Sequence, residues 1–90
     1  MKLRPEEREE VQKRIKRSAR FQRTFSGTDG EFTLSEIDIN LNYKGNAFDP
    51  DPYISAYKAG QRSAAVFIHN VIDQDIKKAT QILDEGEENE

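Results

Sequence analysis

The chain has 90 residues, of which 34% are hydrophobic and 34% charged, and its net charge is −3. That length makes one small domain, and so low an apolar share supports a thin core rather than one that encloses a catalytic cavity. With no cysteine and a single histidine, disulfides, thiolate metal sites and most nucleophile–base pairs are excluded.

The first predicted helix runs from about Pro5 to Thr24. Pro5 suits the first helical position, where a missing N–H is no loss. Glu6, Glu7, Glu9 and Glu10 lie at its positive end, and Arg17, Arg20 and Arg23 lie at its negative end. Its apolar stripe is narrow: Val11, Ile15, Ala19, Phe21 and then Phe25. Residues 26 to 31, "SGTDGE", read as a loop. Thr33-Leu-Ser-Glu36 matches a capping box, which predicts a short second helix from 34 to 42. The alternation of Ile37, Ile39, Leu41 and Tyr43 with polar residues also fits a strand over 36 to 43, but no other segment offers such a strand a partner.

"YKGNAFDPDP" is a loop by composition. Its Asp49 and Asp51 lack the ligand spacing of a calcium loop, and helix capping accounts for them better. Asp51 as N-cap and Pro52 as first residue open a third helix, predicted from 52 to 83. A helix of that length spans about 45 Å, more than the body of a 90-residue domain. Its far half either returns onto the first helix or packs on another chain. The fold expected is therefore all-α, with three helices at about 5 to 24, 34 to 42 and 52 to 83, the first and third forming a hairpin-like pair. Residues 1 to 83 make the domain, and 84 to 90, "DEGEENE", an acidic disordered tail.

No phosphate-binding, nucleophile-elbow or zinc-protease motif is present, so no cofactor or metal is expected and the chain is read as non-enzymatic. His69 has Asp73 at i+4, a spacing that suits a surface or boundary pair. Residues 13 to 23 carry six cations and no acid. Lys13, Arg14, Lys16, Arg17, Arg20 and Arg23 are thus the candidate nucleic-acid contacts, of a kind that neutralises phosphates without reading bases. The alternative is a solvated face that meets the acidic tail or an acidic partner.

Gly60 stands inside a helical stretch at a cost of about 1 kcal/mol relative to alanine. Close approach accounts for it: a backbone or a ring, Phe25 or Phe48, packing on the bare helix while Lys58 and Arg62 face outward. The longest apolar run, Ala64 to Ile68, is far too short to span a membrane. The first ten residues lack the apolar run of a secretory signal.

Phe21 and Phe25, Gly30, Leu34 and Ile37, Phe48 before a polar loop, and Ala56, Gly60 and Arg62 followed by Val66 and Ile68 together form a pattern. This arrangement, over roughly residues 20 to 75, resembles a family of small tailed-phage proteins of the podophage type, encoded among virion structural genes. Ala59 and Gln61 stand where that family tends to carry an acid and an arginine. The resemblance implies a virion component or virion-assembly factor that acts by protein–protein contact, with other virion proteins or copies of itself as partners. Its location would be the virion or the infected host's cytoplasm. A packaging accessory using the basic helix, or an early protein that inhibits a host factor, are the other readings.

Overall fold

A computed structural model describes residues 3 to 88. They form four helices, α1 (Pro5–Thr24), α2 (Gly27–Asn40), α3 (Pro52–Ile72) and α4 (Ile76–Glu88), and no strand. The all-α expectation stands, but the helix count is four.

Helix α1 has the predicted bounds. Its start is held by Arg4, whose backbone N–H and guanidinium Nε both donate to Glu7 Oε1, at 3.3 and 2.7 Å. The side-chain bond from Arg4, first among the causes, holds the Glu7 carboxyl below its ordinary range. Helix α2 departs from expectation. It begins at Gly27, six residues before the capping box, so 27 to 31 are helix rather than loop and Thr33 is interior. Gly27 at φ 73° turns the chain out of α1, a left-handed conformation that favours glycine. Gly30 is buried against the end of α1. A Cβ there would stand 2.6 Å from the Phe25 carbonyl carbon and 2.7 Å from the Thr24 oxygen. This is the close approach that was expected of Gly60. The helix-or-strand ambiguity over 36 to 43 resolves as helix to Asn40 and then a turn, with Asn42 at φ 57° and the Tyr43 N–H donating to the Asp38 carbonyl at 2.9 Å.

The 41 to 51 segment is built from side-chain-to-backbone turns. Asn46 Oδ1 accepts from the Phe48 N–H, and Asp49 Oδ1 from the Asp51 N–H, both at 2.9 Å. Asp51 then caps α3 as predicted, accepting from the Tyr53 N–H at 2.9 Å. The single helix expected over 52 to 83 is broken at 73 to 75. Helix α3 ends at Ile72 with Asp73 as its C-cap, and Asp75 starts the next helix, because its carboxylate accepts the Lys78 N–H at 3.0 Å as an N-cap does. Gln22 on α1 holds the corner, donating its amide to the carbonyls of Ile72 at 2.8 Å and Gln74 at 3.4 Å.

Helix α4 therefore returns along α1 in the opposite direction, with Gln22 facing residue 74 and Arg8 donating to the Leu83 carbonyl at 3.1 Å. The hairpin partner of α1 is α4, and α3 meets only the C-terminal half of α1. Leu83 is buried and Arg8 places positive charge by its carbonyl. These contacts carry α4 as helix through Glu88, where a disordered tail was expected; residues 89 and 90 lie outside the described residues.

The result is thin. Among the described residues the buried apolar ones are Leu3, Ala65, Val71 and Leu83. The molecule measures 56 × 33 × 15 Å with a radius of gyration of 17.5 Å, against about 12 Å for a compact chain of this length. Its accessible surface is 6854 Å², where a folded monomer of this mass exposes about 5,400 Å². The molecule is therefore elongated and flat.

Gly30→Ala is expected to lower stability by about 1–3 kcal/mol through overpacking against backbone that has no flexible end to move. Asp75→Ala is expected to cost about 1 kcal/mol through the lost cap. Urea melts followed by far-ultraviolet circular dichroism measure both, and Gly30→Ala without loss of stability would refute the close approach.

Candidate functional site

Three features bear on function: a polar cluster around His69, the two faces of α3, and the basic side of α1. His69 does not pair with Asp73 through its ring; the Asp73 backbone N–H only donates to the His69 carbonyl at 2.9 Å. The ring reaches across to α2, where Nε2 lies 2.9 Å from both Asp38 oxygens. Facing a carboxylate, Nε2 carries the proton and donates. Tyr43 stacks on the imidazole at 4.0 Å between centroids and 3° between planes. Side chains of His69 and Asp38 are 20% and 17% exposed, so the pair is partly shielded. A carboxylate and a ring both engaged in this way fasten α2 and its turn to α3. Sequence spacing carries no sign of the arrangement, since Asp38 lies 31 residues from His69.

The same side of α3 makes further polar contacts. Ser55 Oγ donates to the Ala47 carbonyl at 3.0 Å, Lys58 Nζ lies 3.5 Å from Asp49, and Arg62 Nε donates to the Tyr43 carbonyl at 3.1 Å. At about 100° per residue, Ser55, Lys58, Arg62, Ala65 and His69 fall in one arc of the helix. Lys58 and Arg62 were expected to face outward; Arg62 is exposed and Lys58 partly so, and each also reaches the 43 to 49 segment, Lys58 at a carboxylate and Arg62 at a carbonyl.

Tyr53, Tyr57, Gly60, Ala64 and Phe67 fall in the opposite arc. Tyr53 is 86% exposed, Tyr57 67% and Phe67 50%, and nothing lies within 4 Å of a Cβ built on Gly60. The ring expected on Gly60 is not there: Phe48 is exposed, and Phe25 is half-buried beside Phe21, at 6.3 Å edge to face. The two halves of this arc therefore differ: the first leaves two tyrosines in water, while in the second Phe67 packs on α1 and Val71 is buried. At its C-terminal half the outward stripe runs into an apolar groove of about 410 Å³ lined by Arg20, Phe21, Thr24, Phe25, Phe67 and Ile68. Phe21 meets Phe67 edge to face at 6.2 Å, and the Arg17 guanidinium lies over Phe67 at 5.8 Å.

The basic candidates separate on the structure. Lys13, Lys16, Arg17 and Arg20 line one groove with Phe21, while Arg14 and Arg23 stand outside it. Glu9 lies 3.5 Å from Lys13. Among the described residues no carboxylate pairs with Arg14, Lys16, Arg20 or Arg23. Leu83 sits by Arg8, so the acidic end of α4 leads away from residues 13 to 23 rather than covering them. Among the described residues no group of three or more His, Asp or Glu is arranged to hold a metal ion, and no helix is long and apolar enough to cross a membrane.

Comparison with protein-family models, characterised proteins and solved structures finds no match. The functional reading therefore rests on these surfaces.

Asp38→Ala is expected to destabilise the fold by about 1–3 kcal/mol, because the shielded imidazole loses its acceptor. His69→Ala should cost a similar amount, and the double variant less than the two together by at least about 0.5 kcal/mol. Additive losses in urea melts would show that the two side chains do not act as a pair.

Proposed function

We propose that this chain is a non-catalytic assembly protein that acts through protein–protein contact. The observation that supports this reading is the first half of α3, where Tyr53 and Tyr57 stand in water beside an open Gly60. Water-exposed aromatic rings in a row contribute nothing to the stability of the isolated chain. They contribute when a partner removes them from water, at about 25 cal/mol per Å². Exposed tyrosines beside a small residue are the composition of an interface centre rather than of a solvated face.

The biological context of the proposal comes from the resemblance of residues 20 to 75 to small tailed-phage proteins. On it, the chain is a virion component or virion-assembly factor, and its partners are other virion proteins or itself. Quantitative mass spectrometry of purified virions and of their assembly intermediates tests this. The chain is expected in one or both at a fixed copy number per particle, and its absence from both would overturn the reading.

A second reading is supported by the basic groove on α1, where three of the four cations pair with no carboxylate among the described residues. Lys13, Lys16, Arg17 and Arg20 share a groove with an aromatic ring, which suits a phosphate backbone with a base stacked on Phe21. On this reading, binding to a short single-stranded oligonucleotide weakens as salt rises, with a log–log slope of about −3 for four phosphate contacts. The double variant K16E/R20E would reduce the slope. An oligonucleotide that does not bind at 20 mM salt, or a slope unchanged by the substitutions, would remove it.

A further inference from the structure

The basic groove of α1 and the apolar groove between α1 and α3 are one continuous surface, because Arg20 and Phe21 line both. On one side of that pair lie Lys13, Lys16 and Arg17, and on the other Phe25, Phe67 and Ile68. The apolar part holds about 410 Å³ and the cationic part about 370 Å³. From Lys13 to Arg20 the helix advances about 10 Å.

The apolar part is a notch rather than a platform. Phe21 meets Phe25 at 60° and Phe67 at 89° between ring planes, and the Arg17 guanidinium lies over Phe67. Rings set edge to face leave a gap that takes an inserted aliphatic or aromatic side chain, whereas a stacked base needs an open parallel face.

The cationic part lacks a complement of its own. Lys16, Arg17 and Arg20 pair with no carboxylate among the described residues, and Glu9 reaches only Lys13 at the far end. Helix α3 brings Ser63, Asn70 and Gln74 to the other side of Phe67, none of them charged. The acidic end of α4 lies by Arg8 instead. Cations along the rim of an apolar notch favour a partner that carries carboxylates, and they penalise a neutral or basic one that would cover them without pairing. The two arginines also present the planar fork that matches a carboxylate bidentately.

We propose that this surface docks a protein segment in which an aromatic or aliphatic anchor adjoins three or four carboxylates. The anchor fills the notch among Phe21, Phe25 and Phe67, and the carboxylates meet Arg20, Arg17, Lys16 and Lys13. A reach of about 10 Å is about three extended residues or two helical turns, so the acids follow the anchor closely. The proposal rests on the protein-contact reading and names the chemistry of its partner.

Titration calorimetry on the full chain tests it, at about 100 mM salt, where charges more than about 10 Å apart are screened. The probe is the end-capped peptide Gly-Phe-Leu-Asp-Glu-Asp-Glu-Gly, and one-to-one binding is expected. Exchanging its acids for Asn and Gln, or its Phe-Leu for Ser-Ser, is expected to raise the Kd about tenfold or more in each case. Arg20→Glu, at an exposed position, raises the Kd by a similar factor with helicity retained, while Arg14→Glu, the same charge change outside the groove, raises it less than about threefold. An acidic peptide that does not bind, a neutral or Ser-Ser form that binds equally, or equal losses from Arg14→Glu and Arg20→Glu would each overturn the proposal. So would an oligothymidine that binds more tightly and displaces the peptide, which assigns the groove to nucleic acid. A chain that binds no peptide but is found in virions would overturn this inference and leave the protein-contact reading standing.

Discussion

The burial of α4 against α1 depends on one reversal of chain direction. The helix that begins at Pro52 stops at Ile72, three residues turn, and α4 comes back along α1. Asp75 makes the restart favourable by capping the new helix, and the Gln22 amide gathers the carbonyls that the corner leaves open. Without that corner the second half of the helix would continue into solvent, and Val71, Leu83 and Leu3 would have little to pack against. The reversal also sends the acidic end of α4 toward the N-terminal half of α1, so the basic segment stays uncovered.

The second constraint is thickness. The molecule is flat and has little inside. Apolar area is removed from water where α4 and α1 lie together, around Ala65 and Val71 of α3, and where Gly30 lets α2 press on the end of α1. Elsewhere the helices are tied by hydrogen bonds and ring stacking: Asp38 with His69 and Tyr43, Arg62 with the Tyr43 carbonyl, Lys58 with Asp49. Such ties orient elements but stabilise them modestly, since each replaces a bond to water. Two of the aromatic side chains that could do this work, Tyr53 and Tyr57, are instead on the outside of α3, and this is the physical reason for the protein-contact proposal.

Much of the local structure was legible in residue order. Pro5, the acidic first turn and the basic last turn marked α1, and Asp51 with Pro52 marked the start of α3. Where the reading failed, a real local signal lost to a contact made at a distance. The Thr33 to Glu36 capping box is genuine in composition, but α2 had already begun at Gly27, because a glycine at φ 73° and the room at Gly30 let it start against α1. The helical period continued unbroken through 73 to 75, and nothing in that period shows that Asp75 caps a new helix or that Gln22 receives the corner. Gly60 was singled out for a close approach that belongs within this chain to Gly30; in the single chain Gly60 is open.

The sequence by itself determined the helical class, because the apolar residues recur at helical spacing and no second segment alternates to pair as a strand. It also determined the split of charge between a basic segment and an acidic end. Both are properties of residue type and order along the chain. Tertiary structure alone decided which side of α3 faces inward. Periodicity marks Tyr53, Tyr57, Ala64 and Phe67 as one stripe but does not say whether this chain covers it. The answer came from residues far along the chain, Asp38 and the 43 to 49 segment, whose carboxylates and carbonyls draw Lys58, Arg62 and His69 toward them and leave Tyr53 and Tyr57 on the outside.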